Sequence, residues 1–315
     1  MPSLVYESPV DGITGFLGVF RRPMVFRGNL IDAAIGTQFL VDPDKRQGGI
    51  TALQLLRKFL SGPQQLSITD GAQDTTRLLW QAAGGDAVFL QCLDWFRILR
   101  PASHNLLLLR KRKRLNSFLQ FLTPVSKVVD SMVHRLPVGP YRLCPASGVK
   151  EAASLDAILE AMTRFSKQYS LHPSLNEMQL RWLLDYATLS EKRGSLHRAV
   201  ARDSRGQPAG WGLYYIQPGD TCKVLQVGGP EHYLVKVLTH IYNHAWREGG
   251  TAVSGRLQPW LLGPLPRRNC YARCLSLGVL AHSKNKDILH AIHAGDAFLS
   301  RLEGEWWMAF GERWR

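Results

Sequence analysis

The segment Phe39-Leu40-Val41-Asp42-Pro43-Asp44-Lys45-Arg46-Gln47-Gly48-Gly49-Ile50 limits what this chain can fold into more than any other stretch. An apolar run stops at Asp42-Pro43, where proline withdraws an N–H from any continuing ladder. A short loop with Arg46 and the pair Gly48-Gly49 follows. It opens into a helical pattern that puts Ile50, Leu53, Leu56, Phe59 and Leu60 on one face and stops at Ser61-Gly62-Pro63. A strand, a glycine loop and a helix N-terminus in that order aim free backbone N–H groups at one point. Glycines let an anion such as a pyrophosphate come close to them.

The same order recurs along the chain. Residues 12–27 read as a strand hairpin, and strand 31–41 leads into the loop. Strand 65–69, a helix over 72–83 and one or two strands over 87–99 follow it. After the breakers Pro137, Gly139, Pro140 and Pro145, helical patterns cover 155–169 and 175–193. Strands at 196–201, 210–216 and 222–227 then reach Gly228-Gly229-Pro230-Glu231 and a helix over 233–247. Strands at 252–257 and 272–281, a helix over 284–302 and a closing strand at 305–310 complete the pattern. The halves share strand, strand, strand, glycine loop, helix, strand, helix, strand, so architecture repeats while sequence does not. The second loop has no basic residue, Pro230 lacks a donor, and Glu231 would repel a phosphate. Binding of such an anion is expected in the first half alone.

The segment 39–50 resembles the acyl-CoA signature of the GNAT (N-acetyltransferase) superfamily: a strand reaching V-x-P, then [R/Q]-x-x-G-x-[G/A] opening a helix. The likeness continues through Asp70-Gly71-Ala72-Gln73 to Trp80-Gln81-Ala82-Ala83-Gly84-Gly85 and covers about residues 30–85. It implies an α/β (α+β) fold of two tandem GNAT-like domains, each a central mixed, mostly antiparallel sheet flanked by helices. The expected division is 1–100 for a truncated N-terminal domain with the donor loop, 101–145 for a basic linker with a helix over 115–136, and 146–315 for the C-terminal domain. It further implies that Arg46, Gln47, Gly48, Gly49, Ile50 and Thr51 bind the donor, with Gly49 sparing it a Cβ clash. Thr51 departs from the signature, which has Gly or Ala there. Trp80 stands where the family often has a tyrosine serving as general acid, and an indole N–H is no acid at neutral pH. Asp70 and Asp32 are the carboxylates available for catalysis, although a helix N-cap explains Asp70 and Asp32 is remote from the loop. Gln38 cannot be a base.

Acyl-CoA as donor and an amine as acceptor follow from the resemblance, in a monomer with an internal pseudo-dimer. The alternative keeps the fold and takes an aminoacyl-tRNA donor; a third reading is a non-catalytic RNA-binding or assembly protein. Lys and Arg outnumber Asp and Glu 39 to 25, for a net charge of +14, which favours polyanions without choosing among them. The run Arg110-Lys111-Arg112-Lys113-Arg114 is a candidate site for a phosphate backbone such as that of tRNA. With 45% apolar residues in 315, the chain can bury two cores. It has no run of the ~18–20 apolar residues that span a bilayer. MPSLVYESPVDG is no signal peptide, so a cytoplasmic place is expected. The five cysteines suit a reducing compartment. No metal site is expected: Cys270 and Cys274 have no partner pair, and His240 and His244, spaced i, i+4 after His232, read as solvated helix residues. Trp306 and Trp307 read as packing on the closing strand.

Overall fold

The computed structural model describes residues 1–308 apart from 43, 45–48, 114–120, 137–138, 146, 152, 190–192, 267–268 and 275–277, and, of residues 112 and 113, the backbone alone. In chain order the elements of the first half are β1 (Leu4–Ser8), β2 (Gly12–Phe26), β3 (Asn29–Val41), α1 (Ile50–Leu60), β4 (Leu66–Ala72), α2 (Asp74–Ala82), β5 (Asp86–Ala87), β6 (Leu93–Ile98), α3 (Pro101–Lys113) and α4 (Thr123–Arg135). Then come β7 (Val149–Glu151), α5 (Leu155–Ser166), β8 (Leu171–Pro173), α6 (Glu177–Thr188), β9 (Ser195–Arg202), β10 (Pro208–Ile216), β11 (Thr221–Gly228), α7 (Glu231–Arg247), β12 (Ala252–Arg256), β13 (Tyr271–Cys274), β14 (Gly278–His282) and α8 (Lys286–His293).

Two compact units result, and neither is contiguous. One holds residues 1–93, 166–179 and 274–315; the other holds 94–165 and 180–273. The first sheet runs β1-β2-β3-β4-β14-β5 with β8 on β2, and the second runs β13-β6-β12-β11-β10-β9-β7. In each, two antiparallel pairings lead to one parallel pair, β3 with β4 and β11 with β12. The next place is taken by an antiparallel strand from the other half of the chain: β14 beside β4, and β6 beside β12. This reciprocal exchange of strands is why the units differ from the contiguous ranges 1–100 and 146–315.

Side-chain alternation places the first unit's core. Ala33, Ile35, Leu66, Ile68, Val279 and Ala281 face one side, with Ile288 and Ile292 of α8 packed there. Ala34 and Leu280 face the other, under Leu56, Phe59 and Leu60 of α1 and Trp80 of α2. The buried face of α1 is therefore Ala52, Leu55, Leu56, Phe59 and Leu60, while Ile50 is exposed.

Several expected elements differ. Residues 12–26 form one strand, not a hairpin; the turn is Arg27-Gly28, both at positive φ, between Phe26 and Asn29. A two-residue turn of that kind suits the strand twist, but arginine rarely marks it. Among the described residues of 101–145 there are two helices, α3 and α4; the helix expected over 115–136 is present from Thr123 to Arg135, and 115–120 lie outside the described residues. Helix α8 ends at His293, and no strand forms over 305–308. Among the described residues no helix is long and apolar enough to cross a membrane.

Candidate active site

The parallel ladder between β3 and β4 ends early. Its pairs are Ala33–Leu66, Ala34–Ser67 and Ile35–Ile68, and beyond them the strands part. The opening is a cavity of about 740 Å³ lined by residues 36–41 of β3 and by Thr69, Gly71, Ala72 and Gln73. A bulge widens it: Phe16 faces Leu40 and Gly18 faces Thr37, so β3 holds two residues, Gln38 and Phe39, against one of β2. Gln38 takes φ 48°, a left-handed conformation uncommon outside glycine.

Helix α1 opens onto this cavity. Gly49 is its N-cap at φ 79°, with no side-chain cap and no acidic residue in the first turn. Among the described residues no side chain caps this N-terminus, which makes its N–H groups available to an external acceptor. A Cβ at Gly49 would meet no described protein atom within 4 Å, so within the chain itself the glycine is required by its φ rather than by crowding. Thr51 is buried with its methyl toward Gly15, a space a larger residue at position 15 would fill. Ile50 is exposed. Arg46, Gln47 and Gly48 lie outside the described residues.

Sequence reasoning missed the carboxylate that reaches the cavity. Among the described lining residues Glu305 is the one ionisable group. Thr69 Oγ1 donates to Glu305 Oε1 at 2.5 Å. Burial, and then the charge of Asp70, push the Glu305 carboxyl up to about 7, against hydrogen bonds from Thr69, Thr37 and the Gly71 N–H. The C-terminal segment is fastened to hold it there. Arg22 and Glu303 form a buried ion pair at 3.3 Å, Ser300 and Glu303 make a capping box, and Trp307 is fully buried. Asp70 is the anchor beneath: its Oδ1 accepts the N–H of Glu305 at 2.6 Å and of Trp306 at 2.9 Å. It lies inside β4 and is 1% exposed, so it caps no helix; α2 begins at Asp74 behind Gln73. No local pattern joins residue 70 to residue 305. The sequence signal was a carboxylate placed where β4 should face the cleft.

Asp32 is not at the site. It lies on the paired half of β3 and bonds Arg21 at the surface. Trp80 lines the cavity, is buried, and donates its indole N–H to the Ala281 carbonyl at 3.3 Å. Its N–H is engaged in packing, so Trp80→Phe is expected to leave the single-turnover chemical step within about tenfold of wild type. A thousandfold loss in a folded variant would assign the indole a direct role.

The second unit repeats the geometry and closes it. Strands β11 and β12 pair from Thr221–Ala252 to Val224–Gly255 and then part, and β11 bulges at Leu225. Trp260 Nε1 donates to the Val227 carbonyl at 3.0 Å, and Trp211 Nε1 to Gln226 at 2.9 Å. Phe165 packs edge-on against both indoles. Gly229 takes φ 131°, and its Cβ would lie 2.7 Å from the Ala209 carbonyl, so the backbone is crowded here, whereas a Cβ at Gly49 meets no described atom within 4 Å. Pro230 is the N-cap of α7, and Glu231 occupies its first turn.

Within the basic run, Arg110 donates to Thr123 Oγ1 at 2.6 Å and Lys111 reaches both carboxylate oxygens of Asp220 at 2.9 Å. The side chains of Arg112 and Lys113, and Arg114, lie outside the described residues. His240 and His244 are 6% and 7% exposed, not solvated, and Glu151 joins them.

Paired sheets of this order, each opening beside a glycine loop and a helix N-terminus, define the GNAT fold. No protein-family model matches the sequence, and no curated protein does. Solved structures match over most of the chain. A conserved protein of unknown function from Enterococcus faecalis V583, a probable N-acyltransferase, is 15% identical with a TM-score of 0.53, covering 86% of this chain and 59% of its own. Saccharomyces cerevisiae N-myristoyltransferase, with bound myristoyl-CoA and inhibitors, is 9% identical with a TM-score of 0.51, over 86% of this chain and 64% of its own. A GCN5-related N-acetyltransferase from Anabaena variabilis ATCC 29413 is 12% identical with a TM-score of 0.52, over 87% and 61%. This chain thus spans about three-fifths of the length of these structures. It has the GNAT fold, in two tandem GNAT-like copies.

Proposed function

We propose that the protein is an N-acyltransferase that takes an acyl-CoA thioester in the cleft between β3 and β4 and transfers the acyl group to an amine. The observation that carries this reading is the placement of Glu305, a carboxyl titrating near neutrality, in a cavity that an uncapped helix N-terminus also faces. The α1 N–H groups, with Arg46 on the same loop, bind the pyrophosphate. The cavity's apolar wall of Leu17, Leu56, Leu79 and Trp80 receives the acyl chain. Glu305 accepts the proton of the attacking amine, as a base with a pKa near the working pH does best. Backbone N–H groups around the Gln38 bulge stabilise the oxyanion. The thiolate leaves without a protein acid at position 80. Acyl-CoA bound by the solved yeast N-myristoyltransferase supports this donor class by fold alone.

The test is thiol release from acyl-CoAs of increasing chain length with a panel of amine and peptide acceptors. Amine-dependent CoA release is the expected result. A protein that ignores every thioester but accepts an aminoacyl group from charged tRNA would replace the donor and keep the cleft. In that case neutralising residues 110–114 to Gln would weaken tRNA binding equally across sequences. Its salt dependence would flatten by about 0.7–0.9 in log–log slope for each phosphate that a removed cation had neutralised.

A further inference from the structure

We propose that Glu151, His240 and His244 form a divalent-metal site in the second unit, and that its ion is Zn²⁺. The residues come from two elements: β7 at the edge of the sheet supplies the carboxylate, and one face of α7 supplies two imidazoles a helical turn apart. One ligand atom from each lies within 4.8 Å of the other two. His240 Nε2 is 3.4 Å from Glu151 Oε1. That equals the ligand-to-ligand edge of a tetrahedron with metal–ligand bonds of ~2.0–2.1 Å, which is about 3.3 Å. His244 Nδ1 lies 3.9 Å from the same oxygen, a few tenths of an ångström beyond that edge.

The second observation is independent of the clustering. His240 is buried, and its Nε2, which faces the carboxylate, has no hydrogen-bond partner. A buried ring nitrogen without a partner is costly. A metal between it and Glu151 removes that cost. The surroundings suit the ion as well. Arg247 Nη2 holds Glu151 Oε1 at 2.7 Å, orienting the carboxylate as outer-shell partners do, and leaves the second oxygen to share the ion.

Two imidazoles and a carboxylate are a three-ligand zinc set, and the fourth position has somewhere to open. Glu151, His197, Tyr214 and His244 line a cavity of about 170 Å³, room for several waters. Tyr214 now bonds His244 Nδ1 at 2.8 Å. When the ion takes that nitrogen, the hydroxyl is left beside the open position to bond a metal-bound water. The set has no thiolate, so Cu(I) is disfavoured, and its imidazole content excludes Mg²⁺ and Ca²⁺ as preferred ions.

The test uses the full chain, stripped with chelator, and Zn²⁺ titrated against a chromophoric competitor, with Co²⁺ as the spectroscopic probe. One equivalent is expected, with visible bands of four-coordinate Co²⁺. His240→Asn and Glu151→Gln are each expected to weaken binding by about 100-fold. Tyr214→Phe removes the competing hydrogen bond and is expected to bind as tightly or more so. Should His240→Asn fail to fold, Glu151→Gln, whose side chain reaches the surface, decides the matter. No stoichiometric Zn²⁺ binding by wild type, or an equivalent that survives Glu151→Gln unchanged, would overturn the proposal.

Discussion

Glu305→Gln is expected to slow acyl transfer by about 10²–10⁴-fold at pH 7, the range a positioned base contributes, while donor affinity stays within a few-fold. The loss arises because the amide cannot accept the amine proton, although it still bonds Thr69. The wild-type acid limb of kcat/KM is expected near pH 7, where Glu305 titrates. Asp70→Asn removes the charge that helps raise Glu305, so it is expected to move that limb to lower pH. Stability moves the opposite way from activity in the glutamine variant. Glu305 is raised in the folded protein from 4.5 to about 7. Its neutral form therefore favours the native state below about pH 4.5, and that contribution is lost as pH rises through 7. Glutamine never ionises, so Glu305→Gln is expected to match wild type near pH 4.5 and to melt higher at pH 8, seen as a Tm difference that grows with pH. A variant keeping half the wild-type rate at pH 7 would remove Glu305 from the chemistry.

Gly49→Glu is expected to weaken acyl-CoA binding by at least about 100-fold, some 2.7 kcal/mol. It sets a carboxylate at the helix N-terminus where the pyrophosphate is to sit, and it forces a side chain into φ 79°. Gly49→Ala separates the two effects. Its methyl meets nothing within 4 Å, so only backbone strain of about 1–2 kcal/mol applies. Calorimetry is expected to show the alanine variant binding with reduced affinity and the glutamate variant not binding in the working range. Glu231→Gln, at the corresponding helix of the second unit, is expected to leave affinity unchanged, because Pro230 removes a donor from that helix N-terminus and the Ala209 carbonyl crowds the backbone at Gly229. If Glu231→Gln alters donor binding while Gly49→Glu does not, the roles of the two units are reversed.

The sequence displayed what is local. Strand, glycine loop and helix follow one another around Gly49, and the contrast with Pro230-Glu231 needs only those residues. What stayed hidden was long-range. Asp70 and Glu305 are 235 positions apart, and their bond depends on the C-terminal segment joining the first unit. The exchange of β6 and β14 has the same cause: each strand reads as a continuation of its own half, and only the sheet shows where it pairs. Glu151 sits in a three-residue edge strand far from His240 and His244, too short to carry a pattern. The Arg27-Gly28 turn escaped because arginine is an unusual occupant of a left-handed position. Asp70 looked like a cap because β4 runs three residues beyond the 65–69 strand that alternation suggests.

The central claim is that one donor binds per chain, in the cleft of the first unit. Hydrogen exchange with and without a non-hydrolysable acyl-CoA analogue tests it most directly. Protection confined to residues 36–56 and 69–80, with 224–235 unchanged, is the expected result. Protection over 224–235 with none at 36–56 would contradict it.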